Sequence, residues 1–119
     1  MIKGLLVTAL IAAVAALMFA VTASAKSAGL TGEVGPGFKI EVKLNGKDLK
    51  TIKAGTYKLK VQDKASIHNF HLTGPGVNKS TSVSGTGEQT WTVTLKKGTY
   101  KYQCDPHASS MNGSFKVTG

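Results

Sequence analysis

Arginine is absent from this 119-residue chain, so all fifteen of its basic residues are lysines. The forked, bidentate recognition of phosphates and bases that arginine provides is therefore missing. The lysines are also spread along the sequence and form no continuous basic run. These two features argue against a nucleic-acid-binding protein, and the formal net charge of +9 favours acidic partners or surfaces instead.

Charge of either sign is missing from residues 4–21, which follow a basic start at Lys3. The tripeptide Ala-Ser-Ala at 23–25 then suits cleavage by a signal peptidase. We therefore predict a signal peptide over residues 1–25 and one domain over residues 26–119, located in the periplasm or secreted. The alternative is an uncleaved membrane anchor, because the uncharged run is nearly long enough to span a bilayer. If the leader is cleaved, we expect no stable membrane association.

Cysteine is almost absent too, since Cys104 is the only one and excludes an intramolecular disulfide. An unpaired thiol in an oxidising compartment needs a chemical reason. A metal ion supplies one, because it holds the sulfur as a protected thiolate. Taken alone, however, such a cysteine is more often a buried structural thiol.

The remaining 94 residues carry 14 lysines and six acidic residues, a net charge of about +8. Much of this segment alternates apolar and polar residues, as half-buried strands of an antiparallel sheet do. The apolar runs are Phe38, Ile40, Val42 and Leu44; Tyr57, Leu59 and Val61; Trp91, Val93 and Leu95; and Phe115 and Val117. Glycine-containing turns separate them, and no helix is indicated after residue 25. We predict an all-β Greek-key sandwich or barrel of about seven or eight strands, with residues 77–87 as a loop or weak edge strand.

The same alternation separates two neighbouring histidines. His68 shares its parity with Phe70 and Leu72, so its side chain is predicted to point into the core. His71 has the opposite parity and is predicted to point to solvent. Trp91 is predicted to belong to the core and not to an electron-transfer path.

Partners for the lone thiol lie close by in sequence. Cys104 shares a face with Tyr100 at the end of a predicted strand, and Pro106 then breaks that strand. The loop that follows can bring His107 and Met111, the only methionine after residue 25, toward the sulfur. With His68 these residues provide one thiolate, two imidazoles and one thioether, the ligands of a mononuclear blue-copper site.

Three segments resemble the cupredoxin family, nearest its plastocyanin, amicyanin and pseudoazurin group. They are His68-Asn69, the pattern Gly-x-Tyr-x-Tyr-x-Cys at 98–104, and Cys-x-Pro-His at 104–107 with a trailing methionine. The resemblance covers nearly all of residues 30–119. It implies that a single copper ion has His68, Cys104 and His107 as equatorial ligands and Met111 as a long axial ligand. It also implies that the amide of Asn69 ties the two ligand loops together and that Tyr100 is a buried structural tyrosine.

The chain departs from the family pattern next to the ligands. Three residues separate His107 from Met111, whereas the two best-known patterns in the group have four or two. We therefore expect the axial position to be where this site differs. Asp105 stands where serine or threonine is more usual, and it places a carboxylate near the metal.

The function implied is one-electron transfer by copper between redox protein partners, which include acidic ones. The protein is expected to be a monomer and not an enzyme. A copper-binding protein that hands the metal on with the same ligands is the alternative. A Cys–His nucleophile pair would need an orienting carboxylate that no motif supplies, and a zinc module would leave the thioether unused. Multicopper oxidases need more than three histidines, and a binuclear copper centre needs two cysteines.

Overall fold

The computed structural model describes residues 26–119, so the predicted signal peptide lies outside the described residues. These residues form ten strands and one 3-10 turn at Asp105–His107. The strands are β1 (Lys26–Val34), β2 (Ile40–Leu44), β3 (Lys47–Asp48), β4 (Thr51–Lys53), β5 (Gly55–Asp63), β6 (His71–Gly74), β7 (Val77–Ser80), β8 (Gly87–Leu95), β9 (Gly98–Gln103) and β10 (Asn112–Thr118). Within this part of the chain no helix is long and apolar enough to cross a membrane.

Two five-stranded sheets pack face to face, with strand orders β3-β2-β1-β5-β8 and β4-β10-β9-β6-β7. The pairs β1–β5 and β4–β10 are parallel, and the other pairs are antiparallel. The alternating residues of each strand place their apolar side chains between the sheets. Leu59 of β5, for example, lies opposite Trp91 of β8, and both are buried. Burying one such side chain stabilises the fold by about 1.5–3 kcal/mol.

The predicted all-β sandwich is confirmed, with more strands than the seven or eight expected. The extra strands are short: β3 has two residues and β4 has three, so neither carries enough alternation to be recognised in the sequence. The weak edge strand predicted within residues 77–87 is β7, at the edge of its sheet. The prediction for Phe38 is wrong. It precedes β2 as the central residue of a tight turn in which the Lys39 amide donates to the Gly37 carbonyl, and its side chain is 64% exposed.

The sandwich has two ends that differ in their loops. At the first, called here the site end, β1, β5 and β9 finish and β10 starts. At the other, the far end, lie the turns that connect β4 to β5, β6 to β7, and β8 to β9. Tyr100 braces the far end, because its buried hydroxyl donates to the Pro75 carbonyl (2.6 Å) and accepts from the Lys96 amide (2.9 Å). Its predicted structural role is confirmed.

Candidate metal centre

Three side chains meet at the site end with their donor atoms facing one another. The Nδ1 atoms of His68 and His107 are 3.1 Å apart, and the Cys104 Sγ lies 3.6 Å from the first and 3.5 Å from the second. A triangle with these sides has its corners about 2.0 Å from a common centre, close to the metal–ligand distances of about 2.0–2.3 Å typical of imidazole and thiolate. The three donors therefore fit a single metal ion.

Burial makes this cluster costly without a cation. Cys104 and His68 are both 0% exposed, and His107 is half-buried. One Nδ1–H···Nδ1 hydrogen bond can pair the two neutral imidazoles, but it uses the only Nδ1 lone pair and leaves the Cys104 thiol hydrogen without an imidazole acceptor. Buried polar atoms are normally paired, so a shared metal ion is the simplest partner for all three donors.

The loop between β9 and β10 brings its donors together through its own backbone. Pro106 occupies the first turn of the 3-10 segment, where its missing amide hydrogen costs nothing. The His107 amide donates to the Cys104 carbonyl (3.0 Å), and the Met111 amide donates to the His107 carbonyl (2.8 Å). The Cys104 amide then donates to the Met111 carbonyl (3.0 Å), which closes the loop. Met111 is 1% exposed, so the spacer of three residues brings it beside Cys104 and into the core.

The other ligand loop, residues 64–70, is fixed by two residues that the sequence analysis did not single out. Asp63 accepts a hydrogen bond from the Ala65 amide (3.1 Å), and Thr81 accepts one from the Phe70 amide (2.8 Å) through its hydroxyl. Burial raises the pKa of Asp63, and the Ala65 amide offsets part of that effect. Parity could have found this residue, because an acid at 63 continues the inward face of Tyr57, Leu59 and Val61.

Asn69 joins the two ligand loops as predicted. Its Oδ1 accepts from the Asp105 amide (2.7 Å), and its Nδ2 donates to the Asp105 Oδ2 (2.8 Å). This paired contact spans the residue after His68 and the residue after Cys104. The separation of these two candidate ligands is therefore set by hydrogen bonds between the residues that follow them.

His71 lies on the outer face, as predicted, but it does not point freely to solvent. Its Nδ1 is 2.9 Å from the Asp105 Oδ1, its Nε2 is 2.7 Å from the Asn78 Oδ1, and its side chain is only 23% exposed. The hydrogen bond to Asp105 raises the pKa of His71. Burial alone would raise the pKa of Asp105, but hydrogen bonds from Gln103, Asn69 and His71 lower it to about 2. The departure from the family's serine or threonine thus supplies a carboxylate that holds neighbouring side chains.

An apolar rim surrounds the donors. The Phe38 ring meets the rings of His68 and His107 edge-on, with centroids 5.1 and 5.0 Å away. Ile67, next to His68, is 53% exposed. The alternation around Phe38 predicted a core residue, and only the turn that contains it places its side chain here.

Residues 42–118 match the model of the copper-binding plastocyanin/azurin family. The chain belongs to this family. Among solved structures it is similar to reduced rusticyanin (22% identity over 80% of this chain and 81% of that one, TM-score 0.55) and to a rusticyanin variant (24%, 80% of each, TM-score 0.57). It is also similar to rusticyanin from Thiobacillus ferrooxidans (23%, 80% and 79%, TM-score 0.53). At this identity the likeness shows the fold alone. No sequence among the curated proteins matches significantly.

Family membership and donor geometry together identify the cofactor as copper, in a single type 1 site. The cluster of His68, Cys104 and His107, with Met111 close to it in the chain, offers the nitrogen and sulfur donors that such a site uses. The predicted cofactor is confirmed.

Proposed function

We propose that this protein is an exported one-electron carrier whose copper would be held by His68, Cys104, His107 and Met111. The observation that carries the proposal is the donor triangle with sides of 3.1–3.6 Å at the buried end of the sandwich. Bound there, copper supplies the one-electron couple Cu(II)/Cu(I).

The protein's own part is to keep the donors still. The Asn69–Asp105 contact holds one loop to the other, and Asp63 and Thr81 hold both ends of the His68 loop. Donors fixed in this way move little when the charge on the metal changes, so little reorganisation opposes electron transfer. His107 is half-buried at the apolar rim, and we propose its ring as the point where electrons enter and leave.

Burial favours a carrier over a protein that hands its copper on. Metal handover proceeds by exchange of ligands, which is easiest at exposed donors, whereas Cys104 and His68 are both 0% exposed. The test is to measure the reduction potential, the electron self-exchange rate and the rate of copper loss to a chelator. A carrier exchanges electrons much faster than it loses copper. Copper loss faster than self-exchange would favour handover and contradict the proposal.

An enzymatic role receives no support from the hydrogen bonds around the site. Among residues 26–119, no carboxylate hydrogen-bonds to His68 or His107, as the base of a Cys–His nucleophile pair would need. We therefore propose electron transfer without substrate chemistry.

The partners we propose are redox proteins, with acidic ones favoured by the net positive charge. Their second-order electron-transfer rate with this protein should fall as salt is added, because the Debye length is about 8 Å at physiological ionic strength. A rate independent of salt would instead favour docking on the apolar rim at Phe38. The proposal of export depends on the signal peptide predicted at residues 1–25. The mass of the protein recovered from the periplasm or medium tests it, and we expect a mass that lacks those residues.

A further inference from the structure

Five lysines collect at the far end of the sandwich. All are exposed, and none of them forms an ion pair within residues 29–119. These far-end lysines are Lys50, Lys53, Lys96, Lys97 and Lys116. The lysines that do form ion pairs are Lys43 of β2, Lys60 of β5 and Lys64, which follows β5 at the site end.

Strand pairing and backbone contacts bring the far-end lysines together. The Lys116 amide donates to the Lys50 carbonyl (2.9 Å), and Lys53 lies opposite Thr118 in the β4–β10 pair. Lys96 and Lys97 form the turn between β8 and β9, next to that strand end. Lys97 and Lys116 line the same open groove, which has a volume of about 510 Å³ and could admit a phosphate group.

Acidic residues lie elsewhere. Glu33 of β1 is opposite both Glu41 of β2 and Gln62 of β5, and Gln62 is opposite Glu88 of β8, so three glutamates share one level next to the site end. Asp63 and Asp105 belong to the site end itself. Asp48, the sixth acid, lies opposite Lys43 on the outer strands. Within residues 29–119, the far end therefore has no acidic side chain to offset its five lysines.

We propose that the far end binds an anionic phospholipid surface and so turns the copper end away from the membrane. A redox partner gains nothing by docking there, because the nine residues of β5 separate the two ends by about 30 Å. The chain also enters the domain from this side: Lys26, the first residue of β1, lies opposite Tyr57, two residues after β5 begins. If residues 1–25 are kept as an anchor, which is the alternative to cleavage, they join the domain through this strand at the same end.

Binding of the full chain to lipid vesicles tests the proposal. Vesicles containing one part phosphatidylglycerol to three parts phosphatidylcholine are compared with vesicles of phosphatidylcholine alone, which measure binding through the leader. A lysine near an anionic surface contributes about fivefold in affinity. We expect the anionic vesicles to bind at least about 100-fold more tightly, and this gain to disappear in high salt.

Two variants with the same net charge locate the binding surface. In the first, the far-end lysines are replaced: Lys50→Gln, Lys53→Gln, Lys96→Gln, Lys97→Gln and Lys116→Gln. In the matched control, five other exposed lysines are replaced that form no ion pair among residues 29–119: Lys39→Gln, Lys47→Gln, Lys58→Gln, Lys79→Gln and Lys101→Gln. The far-end variant should lose most of the gain on anionic vesicles, and the control should lose less than about tenfold. The copper spectrum checks that both variants fold.

Three results would overturn the proposal. Equal binding of the natural chain to both kinds of vesicle would show that it has no preference for anionic lipid. Equal losses of affinity in the two variants would show that only the net charge matters and not the position of the lysines. The third result uses polyglutamate as a model of an acidic protein. If the far-end variant still bound anionic vesicles but no longer bound polyglutamate, the far-end lysines would be assigned to binding an acidic protein.

The orientation of the bound protein on the vesicle is measured separately. This measurement rests on the proposed electron-carrier function, whereas the vesicle-binding comparisons do not. Reduction of the copper protein by hydroquinone should proceed at the same rate, within about twofold, free and vesicle-bound. A strong decrease on binding would place the copper end against the lipid and contradict the proposed orientation.

Discussion

The two ends of the sandwich use their loops in opposite ways. At the site end, polar side chains such as Asn69, Asp105 and Asp63 are bonded to one another or to the backbone, and the donors they surround are mostly buried. At the far end, five lysines extend into solvent without ion pairs among the described residues. The site end holds a few donor atoms in place through hydrogen bonds between its loops. The far end presents charge over a wide surface, where the position of each lysine matters little.

The largest effect is expected from removing the thiolate at the site end. Cys104→Ser should abolish the intense visible absorption of the copper(II) protein, because a hydroxyl oxygen cannot make the covalent bond to copper that a thiolate makes. The absorption spectrum of the copper-loaded variant is the measurement. An intense visible band that persisted would contradict the assignment of Cys104.

The second test compares the two neighbouring histidines. His68→Ala should bleach or grossly alter the copper spectrum, whereas His71→Ala should leave the band nearly unchanged, because His71 lies on the opposite face and contacts Asp105 and Asn78. Spectra of both variants with one equivalent of copper provide the measurement. The reverse outcome would mean that the wrong histidine has been assigned.

Met111 is the proposed fourth ligand, and it lies in the segment that departs from the family spacing. A soft thioether favours Cu(I), so Met111→Gln, which offers a harder oxygen donor, should lower the reduction potential and shift the spectrum toward a more tetragonal site. Met111→Leu keeps the volume and removes the donor, so it serves as the matched control for packing. Potentials and spectra like those of the natural protein in both variants would remove Met111 from the ligands.

The far end should respond to a different kind of change. Tyr100→Phe keeps the ring stacked on Phe115 but leaves the Lys96 amide and the Pro75 carbonyl without their partner. We expect a loss of about 1–3 kcal/mol in the free energy of unfolding, measured in urea. The copper spectrum should stay the same, and a changed spectrum would show that the two ends are coupled.

The smallest effect concerns the pH dependence of the His71–Asp105 pair. Because the pKa of His71 is raised, its protonated form stabilises the folded protein. This contribution to the free energy of unfolding is fully present below pH ~6.5, the ordinary histidine pKa, and is lost as the pH rises through the raised value. The contribution of Asp105, whose pKa is lowered to about 2, is present above pH ~3.9 and is lost on acidification through the lowered value. His71→Gln should therefore cost more stability at pH 5–6 than at pH 9, by about 0.2–1 kcal/mol, because the pair is partly exposed. Urea unfolding of the metal-free proteins measures this difference, and an equal cost at both pH values would contradict the pairing.

Several features could be predicted from the sequence because each depends on a local pattern. A period of two identified the long strands and the inward side of His68, and Pro106 identified the end of β9. The short strands β3 and β4 offered too few residues for that pattern. Parity also misplaced Phe38, because a turn and not a strand precedes β2.

By itself, the sequence determined that the chain is an all-β domain and which residues offer thiolate, imidazole and thioether donors. Side-chain period and residue chemistry are properties of neighbours along the chain, so no folding is needed to recognise them. Only the tertiary structure decided that Asp105 bonds to Asn69 and His71, that Asp63 and Thr81 hold the His68 loop, and that five lysines share the far end. Apart from the local contact between Asp63 and Ala65, these features join residues that are distant in sequence, and their distances exist only once the two sheets have packed.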